Sequence, residues 1–430
     1  MDIKNLIAEH DKTVLYKKTM WDRYTTDNIP IMRELNPAYL QSDIDSGCKR
    51  DRRLYNHFEK EIVDTKVSYF LGHPVIVSAY DGNDELNQVV DNLNITINYE
   101  DLFAELTKDS AIAGAGAVLL YKDKEAEVQS IGLRPYEYTV FYEFKKPYQA
   151  IRKYQIEEND SLIDMVDFYD EDFIIQYRKI NGEWVEQLRE LHGFSDVPLI
   201  EVVNNQQRQS DFHSVTALID AYNRLITDFN NEVEAFRLAY LVLENYSATQ
   251  EDLQKIRETG AISIDGEGKV YFLTKNIDTK AIETLKGILE RNIARFTSHV
   301  EFDSKEFTGN LTRVAVKYKI MKLENKTLNF ERKFKVFLRE FYKTFFGYKG
   351  FVSKKYDYRD LVFSFTRNLP VNLLEEADLL NKLSGKVSKH TALSQVSFID
   401  NPEDELAKME EEGLKENEDI HMDNNEEEEN

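Results

Sequence analysis

Residues 210–236, SDFHSVTALIDAYNRLITDFNNEVEAF, divide the chain in two. Phe212, Val215, Ile219, Tyr222, Ile226, Phe229, Val233 and Phe236 recur at spacings of three or four, which predicts one amphipathic helix of about 28 residues, on the order of 40 Å long. Ser210 or Asp211 can cap its start. Upstream, from 75 to 203, β-branched and aromatic runs recur with helices inserted. Asn181-Gly182 sits between two such runs within Phe173 to Leu188 and suits the positive φ angles of a type I′ hairpin turn. Residues 111–121, AIAGAGAVLLY, end a helix begun at Asp101 and continue as a buried strand, with small residues allowing close backbone approach. A helix with Leu54, Phe58, Ile62 and Phe70 near one face stops at Leu71-Gly72-His73-Pro74, Gly72 taking the left-handed cap position. The strand Val75-Ile76-Val77 follows. Residues 1 to about 50 read as short helical and loop pieces broken at Asn28-Ile29-Pro30 and Asn36-Pro37.

Downstream the pattern is mostly helical. Gly260 to Lys275 reads as a hairpin, Ala261–Ile264 against Val270–Leu273 across Asp265-Gly266-Glu267-Gly268. Asp278 to about Phe296 is a helix, so two helices flank a small α/β insert. His299 to Asn310 has no period and reads as a loop; loops of about a dozen residues inside a domain are functional or disordered. Thr312 to Phe346 is the longest periodic segment, with Val316, Ile320, Leu323, Thr327, Phe330, Phe334, Phe337, Phe341 and Phe345 forming one stripe. Its other faces carry ten bases and three acids. Short strands are expected at Phe351–Ser353 and Leu361–Phe365. A helix begins after Pro370, where Asn372 and Glu375 resemble a capping box, and ends at Gly385. A last helical piece runs through Leu393, Val396 and Phe398. From Asn401 a charge run predicts disorder.

Composition bounds the chemistry. The chain has 430 residues and a net charge of −23, of which residues 403–430 supply −12 with 14 acids and 2 bases. Such an acidic chain is poorly suited to broad, sequence-independent DNA binding, which needs clustered Lys and Arg. One cysteine, Cys48, excludes an internal disulfide and any Cys-rich metal site. No apolar run has the roughly 18 residues of a membrane span, and residues 1–12 lack a signal-peptide core. These features predict a soluble protein made in a reducing cytoplasm.

Catalytic signatures are missing from the sequence. The eight histidines never pair at a metal-ligand spacing such as H-E-x-x-H, and there is no Walker-type phosphate loop and no G-x-S-x-G. His57-Phe58-Glu59 reads as ordinary helix surface. Gly114-Ala115-Gly116 lacks the third glycine of a dinucleotide site. Asp43 with Asp45, or Asp160 with Asp164, are acid pairs of the kind common on solvated loops. The expectation is no catalytic residue, no metal and no cofactor. The basic helix 312–346 has two readings: a Phe stripe packed on its own domain with bases paired to acidic neighbours, or a subunit-interface element whose bases meet acidic surface on the next subunit or a nucleic acid. The acidic tail is either a solubilising extension or a dock for a basic partner.

Four stretches together resemble the portal proteins of long-tailed bacteriophages of Gram-positive hosts. The first is Asn56 through Pro74, NHFEKEIVDTKVSYFLGHP. The second is Asp109–Gly114 through Leu120-Tyr121, then Pro135-Tyr136-Glu137. The third, and most specific, is Val197–Asn205, VPLIEVVNN, leading through Ser210-Asp211-Phe212 to Leu218–Asn223. The fourth is Gly309-Asn310 before Val314–Lys319, continuing to Leu369-Pro370 and on to Ser388, Thr391 and Asp400. The resemblance implies an α+β portal-type fold: an N-terminal arm over 1–25, a β-rich wing over 26–209, stem helices over 210–240 and 278–297, and a small clip over 241–277. It further implies a tunnel loop over 298–311, a long helix and wing completion over 312–370, a helical crown over 371–402 and an acidic disordered tail over 403–430. It implies a homo-oligomeric ring, usually a dodecamer, at one capsid vertex of the virion, assembled in the host cytoplasm. The ring would pass double-stranded DNA without sequence specificity and dock the terminase large subunit, head-completion or adaptor proteins, and scaffolding and major capsid proteins, with no membrane partner. On that reading His299, Phe302, Lys305, Phe307 and Asn310 face the DNA, and Lys326, Arg332, Lys335 and Arg339 meet the next subunit.

A conduit fits the composition, since strong phosphate contacts would drag on every step of DNA movement and a net-acidic wall keeps sliding easy. Two other classes remain: a metal-dependent DNA-processing enzyme using scattered carboxylates, and another structural head protein such as a scaffold or coat. A scaffold would lack the β-rich block, and a coat would close into shells rather than rings.

Overall fold

A computed structural model describes residues 3–33, 52–80, 82–236, 240–244, 249, 269–273, 278–300, 313–349, 356–368, 373–394, 396, 399, 402 and 405–411. They form an α+β fold in which every strand pairing is antiparallel. Where short pieces were expected at the N-terminus, Ile3–Thr25 is one helix, α1. Residues 3–25 contain no Gly or Pro, and Leu6, Ile7, His10, Lys17, Met20 and Trp21 fall on one buried face at helical spacing. Short α2 (Pro30–Arg33) follows.

Helix α3 (Phe58–Leu71) ends at Gly72, but not with the left-handed backbone expected: Gly72 has φ −65° and ψ −21°. Glycine is needed there for room. A Cβ would meet Asn368 side-chain atoms and the Ser68 carbonyl at 2.3 Å. Strand β1 (Ile76–Ala79), α4 (Asp84–Ile97) and α5 (Tyr99–Ala113) come next. Gly114, at φ +87° with the Arg208 carbonyl 2.0 Å from a would-be Cβ, turns the chain into β2 (Ala115–Lys122). Strand β2 is the centre of a three-stranded sheet between β3 (Val128–Leu133) and β9 (Leu199–Val203). A meander of β4 (Tyr138–Glu143), β5 (Lys146–Glu158), β6 (Ser161–Tyr169), β7 (Phe173–Ile180) and β8 (Glu183–Leu191) makes the five-stranded sheet. Its last turn is Asn181-Gly182, at φ 51° and 86°, the expected I′ geometry.

The long helix after residue 210 starts later than its periodicity suggested. Residues His213–Val215 form a 3₁₀ turn, and α6 runs Thr216–Phe236. Strand β10 (Tyr240–Glu244) pairs with β11 (Lys269–Leu273). The second half of the expected hairpin is thus present, but its partner is 240–244, residues assigned to the stem end and clip; Ala261–Ile264 lie outside the described residues. Helix α7 (Thr279–Thr297) begins at Asp278, whose carboxylate accepts from the Ala281 amide at 3.1 Å. Helix α8 (Arg313–Phe346) is as long as its pattern indicated. Strand β12 (Leu361–Ser364) completes a two-stranded sheet with β1, and α9 (Leu373–Leu383) and α10 (Lys389–Leu393) follow. Residues 405–411 are helical, within the region expected to be disordered. Phe351–Ser353, Phe398 and the cap at Asn372 lie outside the described residues.

The largest core joins α8 to the wing-like β region. Phe330, Phe334, Phe337, Phe341 and Phe345 are buried with Phe70 of α3, Phe103 of α5, Val90 and Leu93 of α4, and Val118 and Val202 of the central sheet. Phe103 meets Phe334, Phe337 and Phe341 edge-on at 5.9, 5.7 and 5.6 Å. Such pairs add on the order of 0.5–1.5 kcal/mol each beyond area burial. The Phe stripe therefore belongs to its own subunit. A second core gathers Met20 and Trp21 of α1, Ile62 and Val63 of α3, Phe212, Val215 and Ile219 around the start of α6, and Ile293 of α7. It fixes the two long helices to the rest.

Candidate functional site

The site of interest is where α3, α6, α7 and α8 converge, at the point where the chain leaves α7. Asp211 sits at its centre. It does not cap α6 as its position suggested; its carboxylate is an ionic hub. Oδ2 lies 2.9 Å from Lys66 Nζ and Oδ1 lies 3.1 Å from Lys326 Nζ. Asn204, just past β9, donates from Nδ2 to Asp211 Oδ1 at 3.1 Å and to the Gln209 carbonyl at 2.9 Å, and accepts from Lys66. The Lys66 and Asp211 side chains are 1% and 4% exposed, so the pair is dry.

Removing such ions from water costs several kcal/mol each, and the cost is recovered only when every partner is in place. Burial pushes the Asp211 carboxyl up, but Lys326 and Lys66 outweigh it and hold it at about 2. Burial pulls Lys66 down to about 8 against the attraction of Asp211. The Lys66 ammonium also lies 4.0 Å from the centre of the Phe330 ring on α8. Lys326 has a second task. It donates to the Thr297 carbonyl at 2.9 Å, satisfying one of the orphan acceptors at the C-terminus of α7. One lysine of α8 therefore ties the start of the α6 segment to the end of α7.

The loop leaves from that knot. Ser298 takes the left-handed conformation at φ 59° and ends α7. His299 Nε2 is 2.9 Å from Glu61 Oε1 of α3, and this contact draws the Glu61 carboxyl below its usual range. Val300 is buried with Tyr69 of α3 and with Ile320 and Leu323 of α8. Of the residues expected to face DNA, His299 is thus placed, in contact with α3. Phe302, Lys305, Phe307 and Asn310 lie outside the described residues.

Further networks hold the same elements. Arg23 of α1 pairs with Glu59 of α3 at 3.0 Å and with Asp220 of α6 at 2.7 Å, while the Tyr55 hydroxyl donates to Glu59 at 2.7 Å. Glu59 is therefore a buried structural carboxylate rather than the helix surface its sequence suggested. Arg367 bridges Glu324 at 3.1 Å and Glu331 at 2.6 Å on α8, and Lys335 pairs with Glu331 at 2.8 Å. A polar ladder on α6 was not noticed in the sequence. Asn223, Thr227 and Asn231 accept from the backbone amides of Asn56, Leu54 and Arg52, each at 3.0 Å. Four helical residues rise about 6.0 Å and two extended residues about 6.6 Å, so the two repeats keep step. The signal was the i, i+4, i+8 spacing of three uncharged hydrogen-bonding residues along one buried line of the helix.

The four residues assigned to the subunit interface separate. Lys326 is committed to the buried knot, and Lys335 pairs with Glu331 on its own helix. Arg332 and Arg339 are exposed, and Arg332 donates to Asn329 Oδ1 at 3.1 Å. Among the described residues no group of three or more His, Cys, Asp or Glu could hold a metal ion, and no helix is long and apolar enough to cross a membrane. Asp164 accepts from Lys179 at 3.2 Å and Gln155 at 2.8 Å; Asp43 and Asp45 lie outside the described residues.

The chain is similar to known proteins over most of its length. The family model described as "Phage portal protein, SPP1 Gp6-like" matches residues 3–419. The portal protein of Clostridium phage phiCD119 is 24% identical over 382 residues, covering 82% of this chain and 83% of that protein. The portal protein of Bacillus phage SPP1 is 24% identical over 442 aligned positions, covering 95% and 86%. Portal proteins are structural components of phage particles rather than enzymes, which sets aside the DNA-processing reading. The chain belongs to the SPP1 Gp6-like family of phage portal proteins.

Proposed function

We propose that copies of this chain close into a ring, usually of twelve in such proteins, at one vertex of the capsid, and that double-stranded DNA passes through its centre during packaging and ejection. In this reading α6 and α7 form the stem, residues 241–277 the clip, 298–311 the tunnel loop, the β region the wing and 371–402 the crown. The ring docks a terminase large subunit and later head-completion proteins, and meets scaffolding and major capsid proteins. The supporting observation is the buried knot at the loop root. Lys66, Asp211, Lys326 and the Thr297 carbonyl fix both stem helices to α8, with the loop hung between α7 and α8. A segment that touches moving DNA needs such a rigid base.

The wall chemistry is weakly attractive at most. Helix α6 carries four acids and one base, and α7 two acids and four bases, so the pair is close to neutral rather than strongly negative. Near-neutral lining limits the counterion-release term that would hold DNA in place. Closed cyclic symmetry requires two different matching faces per subunit, and exposed Arg332 and Arg339 on α8 are the proposed charge-matching residues on one of them.

Deleting Asp303–Thr308 tests the loop assignment. Rings should form normally while DNA packaging stops; normal packaging by the deletion would make the loop peripheral. Incubation of the protein with duplex DNA and Mg²⁺ or Mn²⁺ should leave the DNA uncut.

A further inference from the structure

Helix α8 buries its Phe stripe but leaves an outward strip uncovered. Tyr318, Met321, Leu328 and Val336 are 72%, 52%, 38% and 55% exposed. Lys322, Arg332 and Arg339 are interspersed with them, the whole set falling within about a third of the helix circumference over roughly 30 Å of its length. Glu324 and Glu331 lie off this strip and pair with Arg367, while Glu340, at its edge in line with Lys322, pairs with Lys343. Among the described residues no carboxylate forms an ion pair with Lys322, Arg332 or Arg339. An exposed apolar row whose charges without an ion-pair partner are cations is the footprint of a docking surface for an acidic, partly apolar chain.

We propose that its occupant is the C-terminal segment of this same chain, residues 412–430. That segment, EGLKENEDIHMDNNEEEEN, has nine acids and one base, with Leu414, Ile420 and Met422 as apolar anchors. Its nineteen residues reach about 60 Å when extended, twice the strip's length. Duplex DNA matches the cations but not Tyr318, Met321, Leu328 and Val336. A covalent tether that spans the two would make docking intramolecular, an advantage that a free partner lacks. One consequence rests on the interface reading above: because Arg332 and Arg339 are shared, the docked segment competes with the neighbouring subunit and raises the concentration at which rings close.

The test uses the full chain with Cys48→Ser, and donor and acceptor dyes on cysteines at Lys333→Cys and Asn425→Cys. Energy transfer at low salt should fall at least twofold at about 0.5 M NaCl, where surface charges are screened. It should fall equally with Lys322→Glu, Arg332→Glu and Arg339→Glu combined, with the fold checked by circular dichroism. Transfer should persist on dilution and in excess unlabelled chain. Transfer indifferent to salt and to charge reversal overturns the proposal, as does transfer seen only between separately labelled copies. Salt-sensitive transfer in a chain whose rings ignore Arg332→Glu and Arg339→Glu would uphold the docking and sink only the interface reading.

Discussion

Asp211 concentrates most of the account in one side chain. Replacing it with Asn leaves Lys66 and Lys326 without a counter-charge in a dry site, and breaking a buried pair this way costs about 3–5 kcal/mol. Urea unfolding of Asp211→Asn should show that loss. The acid limb follows from the same group. Its folded carboxyl value, about 2, lies below the unfolded value near 4, so its contribution is complete above about pH 4 and fades as pH falls toward 2. The wild-type urea midpoint should drop through that window, and Asp211→Asn should flatten the drop. Gly114 makes a second residue-scale case. With φ +87° and the Arg208 carbonyl in the way, Gly114→Ala should cost upwards of about 2 kcal/mol, measured as a lower thermal midpoint. Sequence reading flagged Gly114 for close approach and that holds. It offered Ser210 or Asp211 as a cap and gave Gly72 a left-handed turn, and Asp211 and Gly72 depart from that reading for one reason. Local patterns report local bonds, whereas Lys66 and Lys326 lie more than a hundred residues from Asp211 in the chain, as Asn368 does from Gly72, and they leave no trace in the neighbourhood of the residue.

Elements were more legible than residues. The α6, α7 and α8 stripes, the Asn181-Gly182 hairpin and the strand after Gly114 follow from period and turn chemistry, which are local. Helix α1 was missed because breakers at Asn28–Pro30 drew attention from the unbroken 3–25 run. The β10–β11 pairing was missed because the intervening sequence is long, and pairing partners are not written in either strand. At this scale the basic helix divides by burial. Lys326→Glu should lower stability by several kcal/mol, because it places a second carboxylate against Asp211. Arg332→Glu with Arg339→Glu should leave the denaturation curve within about 0.5 kcal/mol of wild type while weakening assembly. Circular dichroism melts and sedimentation velocity on the two variants separate these effects. The polar ladder predicts its own outcome: Asn223→Ala, Thr227→Ala and Asn231→Ala together should unmoor residues 52–56 and raise their amide exchange, with α6 itself intact.

At the scale of the whole molecule, the parts have a single logic. Aromatic packing joins α8 to the helices and central sheet of the β region, and buried charges lock the two long helices to it at the point where the chain leaves α7. None of that needs a catalytic group, and a structural protein of a phage particle needs none. The central claim is that such bodies close side by side around an opening. Electron microscopy of the purified chain, with native mass to count copies, examines this most directly. Single closed rings whose central channel admits a double helix are the expected images; isolated globules at every concentration, closed shells, or a bore too narrow for duplex DNA would contradict it.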